Sequence, residues 1–242
     1  MKKEDKSTSG ESLEQISIET KLDVQTQQKS NMTKSNEINS KKQKKRVSSA
    51  NAYIDSLSSK YSKLLVVKDD LYIKKDFSSA VSPKDVSSLF DNLLDNRRGK
   101  PSIFKDNIGY MAKLEYTKDR GAHLHTLFFF DGNKVQKDAH KGKEIGDYWN
   151  NEITDGKGSY NNCNMNDYKD NYAIGMIEHT NKDKIDLLKN VVVKYLAKDT
   201  QNVKDANCTD VVAFRRGLIP KKKSNAGRPR NIGKDSTEEV NK

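Results

Sequence analysis

A chain of 242 residues, of which only 33% are hydrophobic, can bury one modest core, and its uneven apolar pattern confines that core to part of the chain. The formal net charge of +11 favours a polyanionic partner, most simply nucleic acid, although a solubilising surface accounts for the charge equally well. No run of about 18 apolar residues occurs, and the first residues lack the apolar stretch of a secretory signal. Cys163 and Cys208 have no CxxC spacing, so we expect a reducing, cytoplasmic compartment without disulfides or structural zinc.

Polar segments flank the predicted folded region. Residues 1–51 contain no aromatic residue and are rich in Ser, Lys, Gln and Asn, so they cannot bury enough apolar area to offset the entropy of ordering. Residues 215–242 are also without aromatics and are basic at their start. We therefore expect one domain over residues 52–214 between two disordered basic tails.

The apolar pattern of the central region predicts seven elements in the order β-α-β-β-α-β-α. This order is typical of an α+β fold in which a small antiparallel-rich sheet carries helices on one face, a split βαβ arrangement. The predicted elements are a strand at Leu64–Val67, a helix at Asp85–Asn96, a hairpin of Gly109–Tyr116 and Ala122–Phe130, a helix running towards Thr154, a strand at Tyr172–Ile177 after an asparagine-rich loop at Asn161–Asp170, and a last helix at Lys182–Asp199.

The hairpin contains the first group of candidate site residues. Side chains alternate between the faces of a strand, so His123 and His125 lie on the same face, and a turn centred near Asp119 places Glu115 opposite His123. Two imidazoles and a carboxylate are the ligand set of a divalent-metal site with open positions. The alternative is a polar, solvent-facing half of an amphipathic strand, and an isolated His-x-His is more often that.

The last predicted helix contains the second group. Tyr195 and Lys198 are three residues apart and share a helix face. A tyrosine hydroxyl is a weak nucleophile until a cation stabilises its phenolate, and a metal with a nearby lysine would supply that stabilisation. Taken alone, this stretch is better explained as an amphipathic core helix with a lysine at its C-terminal end.

The C-terminal tail contains the third group of candidates, all basic. Its Gly-Arg-Pro-Arg sequence is similar to an AT-hook, an extended segment that inserts arginines into the narrow minor groove of A·T-rich DNA. A tail that binds phosphates without sequence preference is the alternative. The residues expected to contact DNA are Lys221, Lys222, Lys223, Arg228 and Arg230.

Four motifs that occur in order carry a family resemblance: GAHLHTLFFFDG, IGDYWNNEIT followed by GKGSYNNCN, AIGMIEH, and KYLAKDTQ. They resemble the inovirus (filamentous-phage) gene-two-protein family, which includes the YagK/YfjJ-like prophage proteins, over about Tyr61 to Arg230. More broadly they resemble the HUH endonucleases that initiate rolling-circle replication. In those enzymes an HUH strand and an acidic residue on the adjoining strand hold Mg²⁺ or Mn²⁺, and a YxxK helix supplies the nucleophile.

Carried over by position, the resemblance implies that Glu115, His123 and His125 hold Mg²⁺ or Mn²⁺, that Tyr195 is the nucleophile and that Lys198 assists it. Asp69, Asp70 and Glu178 remain alternative third ligands. Position 199 is Asp, which corresponds to the single-tyrosine subclass of these enzymes.

The implied function is site-specific nicking and joining of single-stranded DNA, through a covalent 5′-phosphotyrosine, to initiate rolling-circle replication of a phage or prophage genome. The expected partners are single-stranded or origin DNA and the replication helicase and polymerase of a bacterial host, in whose cytoplasm the protein would act. Two alternatives stay open: a prophage regulator that binds DNA without cutting it, and an HUH transposase or relaxase.

Overall fold

The computed structural model describes residues 41–166, 173–198, 203, 208 and 210–220, which form an α+β fold around an open six-stranded antiparallel sheet. The predicted fold class is confirmed. The strands are β1 (Lys63–Ile73), β2 (Asn107–Thr117), β3 (Gly121–Asp131), β4 (Gly158–Asn162), β5 (Gly175–Glu178) and β6 (Phe214–Arg216).

Strand β3 lies at the centre of the sheet, which has the order β4-β1-β3-β2-β6. Strand β5 pairs with the first half of β1, and β4 pairs with its second half, so both use the same edge of β1. The β2–β3 hairpin is in the predicted register, with Glu115 opposite His123. A positive φ of 71° at Gly121 closes the turn, a conformation that glycine adopts without steric cost.

Helices cover both faces of this sheet, where one covered face was predicted. Helix α1 occupies residues 41–60. The other helices are α2 (Lys75–Ser78), α3 (Pro83–Asp95), α4 (Pro101–Phe104), α5 (Asp138–Tyr148), α6 (Lys182–Leu187) and α7 (Lys194–Leu196). Helix α5 continues as a π-helix at Trp149–Ile153, and another π-helix at Leu188–Val193 joins α6 to α7.

The alternation of β1 explains why both faces are covered. Leu65, Val67 and Leu71 pack with α3 and α5 in one core, whereas Leu64 and Val66 pack with α1 and the α6–α7 segment in a second core. A strand with apolar residues on both faces is stable only when both faces are buried. The prediction lacked helix α1, because it treated residues 1–51 as disordered and assigned no element to residues 52–60.

Helix α1 extends the folded region back to residue 41, ahead of the predicted boundary at residue 52. Ala50, Tyr53, Ile54 and Leu57 are buried in the second core at helical spacing. Residues 41–51 are therefore helical, although their composition is polar.

Strand β6 likewise shows that the ordered chain continues past the predicted boundary at Phe214. Arg215 pairs with Asp91 at 2.5 Å and lies over the Phe90 ring on one face of the sheet. Arg216 lies over the Tyr53 ring and donates to the Ser49 hydroxyl on the other face. Strand pairing with β2 and these contacts order two arginines that were assigned to the disordered tail.

The asparagine-rich segment also departs from the prediction. Its first residues belong to strand β4, and Cys163–Met165 form a 3₁₀ turn. The asparagines are ordered because their amides bond to the backbone and to α5, as Asn162 does to the Ala139 carbonyl. Among the described residues, no helix combines the length and the apolarity that a membrane crossing requires.

Candidate metal centre and tyrosine

The site lies on the face of the sheet that carries the second core, beyond its apolar end. Cross-strand pairing arranges six side chains in two rows across β1, β3 and β2. The first row is Tyr72, His123 and Glu115, and the second is Asp70, His125 and Lys113. These residues share a face because each strand contributes positions two apart.

Glu115, His123 and His125 form the one group among the described residues whose ligand atoms are placed to hold a metal ion, all within 4.8 Å of one another. The Glu115 Oε2 atom lies 3.3 Å from His125 Nε2 and 3.9 Å from His123 Nε2. All three side chains are buried, which rules out the solvent-facing strand that was the alternative to a site. Nitrogen and carboxylate oxygen together suit first-row divalent ions.

Hydrogen bonds on the far side of each imidazole fix its orientation. His123 Nδ1 lies 3.1 Å from the Gly121 carbonyl, and His125 Nδ1 lies 2.7 Å from Asp70 Oδ1. A carbonyl and an ionised carboxylate only accept, so both Nδ1 atoms donate and both Nε2 atoms are left for the Glu115 side. Metal-binding histidines are held in this way, so the residues present fit a divalent cation.

Buried charges around the imidazoles compensate one another. Burial alone would raise the pKa of Asp70, but the His125 imidazole and the Lys68 ammonium hold that pKa well below its usual range. Burial opposes the protonation of His125, but its hydrogen bonds to Asp70 and Glu115 outweigh this and raise its pKa to about 9. Burial lowers the pKa of His123. Without a metal, the protonated His125 imidazole therefore lies between the Asp70 and Glu115 carboxylates and compensates their charge.

The last helical segment brings Tyr195 to the second row of the site. The Tyr195 ring is edge-on to His125, with 6.0 Å between the ring centroids, and the Lys198 ammonium lies 5.1 Å from the Tyr195 ring centroid. Tyr195 is 47% exposed, whereas Leu196 beside it is buried in the second core. The helix is thus anchored by its apolar face, and the phenol stays accessible from solvent.

Two features of this segment set the position of Tyr195. The π-helix at Leu188–Val193 ends directly before Lys194–Leu196, and π-helical turns change the angle at which later side chains leave a helix. The Lys113 ammonium, buried on β2, donates to the carbonyl of Lys198 and thereby joins the end of the segment to the sheet.

The model of the YagK/YfjJ C-terminal domain family matches residues 25–209, about three quarters of the chain. The chain belongs to the YagK/YfjJ C-terminal domain family. The predicted resemblance is confirmed at this level, and the wider link to HUH endonucleases stays a prediction. The search of curated proteins and the search of solved structures returned no match.

Five of the ten predicted site residues lie inside the part of the chain that matches the YagK/YfjJ family, and the fold brings these five together. They come from β2, β3 and the last helix: Glu115, His123, His125, Tyr195 and Lys198. Residues 221–242 of the tail, which include its five predicted DNA-binding residues, lie outside both the described residues and the family match, so their role in DNA binding stays a prediction.

The alternative third ligands occupy other places in this YagK/YfjJ domain. Asp69 faces the opposite core, Glu178 is exposed and pairs with Lys63, and Asp70 contacts the far nitrogen of His125. Of the four acids considered, Glu115 is the one with an oxygen facing both Nε2 atoms.

Sequence reasoning missed the residues that support the site. Asp70 was considered only as a ligand, and Tyr72, Lys68 and Lys113 were not singled out. Their common signal is a polar side chain at every second position of a strand with apolar residues between, as in Asp70-Leu71-Tyr72 and Ala112-Lys113-Leu114-Glu115. Such residues on a buried strand require partners, which a functional site provides.

Proposed function

We propose that this protein is a metal-dependent, single-tyrosine endonuclease that nicks and rejoins single-stranded DNA. The observation that carries the proposal is the convergence of an exposed tyrosine with a buried Glu-His-His group, since the Tyr195 and His125 ring centroids are 6.0 Å apart. A purely structural helix would have no need to present a phenol and a lysine at the edge of such a group.

Glu115, His123 and His125 would hold the cation, which we propose to be Mg²⁺ or Mn²⁺. When bound, it would withdraw negative charge from a phosphoryl oxygen. Asp70 and the Gly121 carbonyl hold the two imidazoles in the orientation that this requires. The Lys198 ammonium, 5.1 Å from the Tyr195 ring centroid, would offset negative charge that develops during the attack.

In the proposed step, the Tyr195 oxygen attacks the scissile phosphorus. A bond forms between the phenolic oxygen and phosphorus, and the bond between phosphorus and the 3′ oxygen of the preceding nucleotide breaks. The phenolic proton leaves, and the departing 3′ oxygen gains one. The products are a 5′-phosphotyrosine and a strand with a free 3′-hydroxyl, and attack by a 3′-hydroxyl on the phosphotyrosine reverses the step and rejoins DNA.

A free 3′-hydroxyl can prime synthesis, so we propose initiation of rolling-circle replication of a phage or prophage genome as the biological role. The resemblance of the hairpin and of the last helix to HUH initiators supports this role, and so does the net charge of +11. The proposed partners are origin DNA and the replication helicase and polymerase of the host.

The test is covalent capture of DNA. Labelled single-stranded oligonucleotides that tile both strands around the gene are incubated with the protein and Mn²⁺, and adducts are resolved on denaturing gels after phenol extraction. We expect one oligonucleotide to yield a phenol-stable adduct that requires Mn²⁺ and is lost in Tyr195→Phe. Tyr61→Phe, which removes a hydroxyl away from the site, is the matched control and should retain the adduct.

The absence of an adduct with the wild-type protein, or an undiminished adduct with Tyr195→Phe, would contradict the proposal. A protein that only binds DNA would in addition keep its affinity for duplex DNA in His123→Ala and Tyr195→Phe.

A further inference from the structure

A small cleft beside the metal centre has no part in the chemistry proposed above. It lies at the turn of the β2–β3 hairpin, has a volume of about 240 Å³, and its lining includes Tyr72, Lys74, Lys75, Asp119 and Arg120. Three of these side chains are cationic and one is anionic, so the cleft favours an anion. Its volume is below the range of about 300–1,000 Å³ for drug-sized ligands, so the cleft suits a small anionic group such as the phosphate of one nucleotide with its sugar.

The fold places two separate basic segments around this cleft. Helix α2 packs against the hairpin turn so closely that a Cβ atom at Gly121 would lie 3.1 Å from the Cβ of Ser78. This approach brings Lys74 and Lys75, at the start of α2, to the same cleft as Arg120 of the turn. The Lys74 ammonium donates to the Gly156 carbonyl, whereas the side chains of Lys75 and Arg120 are exposed.

An aromatic side chain connects the cleft to the metal centre. The Tyr72 ring stacks on His123 with 5.5 Å between centroids and 29° between planes, and the Arg120 guanidinium lies 5.7 Å from the Tyr72 ring centroid. Aromatic rings beside cationic side chains are the elements with which proteins bind single-stranded nucleic acid. The cleft therefore has an aromatic ring and cationic, phosphate-binding groups directly beside His123.

Tyr195 and the cleft lie at opposite ends of the site, and this arrangement defines a direction for a bound strand. The order of rings is Tyr195, His125, His123 and Tyr72, with centroid separations of 6.0, 5.2 and 5.5 Å. In a displacement at phosphorus, the attacking and leaving oxygens lie on opposite sides of the phosphorus atom. With Tyr195 attacking from the His125 end, the leaving 3′ oxygen points to the His123 end and the cleft.

We propose that this cleft binds the nucleotide on the 5′ side of the scissile phosphate, the one that departs with the free 3′-hydroxyl. Lys75 and Arg120 contact its phosphate, and Tyr72 supports its base. This inference rests on the proposed nicking function and adds the polarity of the bound strand. It also explains how the enzyme would retain the 3′-hydroxyl strand for rejoining.

The test compares two DNA probes that differ only in polarity. Both are hexathymidylates with fluorescein at the far end; one ends in a 3′-phosphate and mimics the 5′ side of the site, and the other begins with a 5′-phosphate and mimics the 3′ side. Binding is measured by fluorescence anisotropy with Mn²⁺ in a Tyr195→Phe background, in which no adduct can form. The variant is Lys75→Ala/Arg120→Ala, and the control is Arg98→Ala/Lys137→Ala, which removes the same charge at exposed positions outside the cleft.

We expect the cleft variant to bind the 3′-phosphate probe at least about tenfold more weakly and to bind the 5′-phosphate probe as the parent does. The control should affect the two probes equally. An equal loss for both probes in the cleft variant, a loss confined to the 5′-phosphate probe, or no loss at all would overturn the inference. A covalent adduct formed by the wild-type protein alongside any of these results would show that the cleft assignment failed while the nicking function held.

Discussion

His123 and His125 are two residues apart on one strand, yet their surroundings give them different charges. His123 bonds to a backbone carbonyl and stacks on Tyr72, and burial lowers its pKa. His125 lies between Asp70 and Glu115, and its pKa is raised to about 9. A cation that enters the site must therefore displace a proton from His125, and Asp70 then compensates part of the added charge.

Replacement of a proposed ligand tests the metal centre by itself. We expect His125→Ala to weaken Mn²⁺ binding by at least about 100-fold, because changes in the surrounding shell alone cost about 10–100-fold. Asp70→Asn changes only the residue that orients the His125 imidazole, so we expect it to weaken Mn²⁺ binding by about 10–100-fold. Isothermal titration calorimetry measures both, with exposed His140→Ala as the control. If His125→Ala binds Mn²⁺ as tightly as His140→Ala, the group is not a metal site.

Asp69 gives a prediction that is independent of any metal. It is fully buried in the opposite core, neither carboxylate oxygen has a hydrogen-bond partner, and burial together with the adjacent Asp70 raises its pKa well above the usual value. The folded protein holds a proton that the unfolded chain releases at about pH 4, so the free energy of unfolding decreases as the pH rises from there towards the raised pKa.

We therefore expect Asp69→Asn to stabilise the protein at pH 7 and to remove this loss of stability with rising pH. Urea unfolding between pH 4 and pH 8 measures both effects. The control is Asp95→Asn, at an exposed position, and its free energy of unfolding should change with pH at the same slope as that of the wild-type protein. An Asn variant that is less stable at pH 7 and retains the slope would show that the Asp69 carboxylate is ionised and paired in the folded state.

At the scale of elements, the hairpin could be predicted almost completely from sequence. Its register depends on two local features, the alternation of apolar residues and a glycine-containing turn, and together they place Glu115 opposite His123. The last helix was predicted for the same reason, since Ile185, Leu188, Val192 and Leu196 recur at helical spacing. The site residues were found because these two elements contain them.

The elements that were missed are specified by distant contacts. Strand β4 is short and polar, and β6 consists of Phe214, Arg215 and Arg216, so neither has a pattern of its own. Each forms because an exposed strand edge is available for pairing. Helix α1 begins in a lysine-rich sequence, and only its second half carries the apolar residues that reach the core.

Lys113 connects the metal half of the site to the tyrosine half. Its buried ammonium bonds to the Lys198 carbonyl and lies 3.9 Å from Glu115 Oε1. We expect Lys113→Met to slow adduct formation by about tenfold or more, because a small misplacement of the nucleophile has large kinetic costs. Mn²⁺ binding should be retained or become tighter, since a positive charge beside Glu115 is removed.

Single-turnover capture of DNA and calorimetry with Mn²⁺ separate these two effects of Lys113→Met. Lys105→Met, at an exposed position, is the control. Equal losses of metal affinity and adduct formation would show that Lys113 serves the fold as a whole and does not position the tyrosine.

At the scale of the whole molecule, the sheet separates two kinds of surface. The face towards α3 and α5 is closed by a core that is apolar apart from Asp69, whereas the face towards α1 and α6–α7 is apolar only in part and then opens into the site. An antiparallel sheet permits this division, because neighbouring positions of one strand serve different faces. The candidate site therefore lies at one end of one face of the sheet.

The C-terminal tail is expected to contribute affinity through phosphate contacts. Removal of residues 221–242 should weaken binding to an oligothymidylate and reduce the slope of log K against log[KCl] by about 2–4, given about 0.7 per phosphate contact on single strands. Arg228→Lys/Arg230→Lys should retain the slope and lose any preference for A·T-rich duplexes. Anisotropy titrations across KCl concentrations measure both, and an unchanged slope after truncation would exclude the tail from DNA binding.

The most direct test of the account is to locate the covalent bond. The adduct formed with Mn²⁺ is digested with nuclease and protease, and tandem mass spectrometry identifies which of the ten tyrosines of the chain carries a 5′-linked nucleotide. We predict modification of Tyr195 alone, dependent on Mn²⁺ and absent in His125→Ala. Modification of another residue, or of Tyr195 to the same extent in His125→Ala, would contradict the claim that Tyr195 and the Glu-His-His group form one active site.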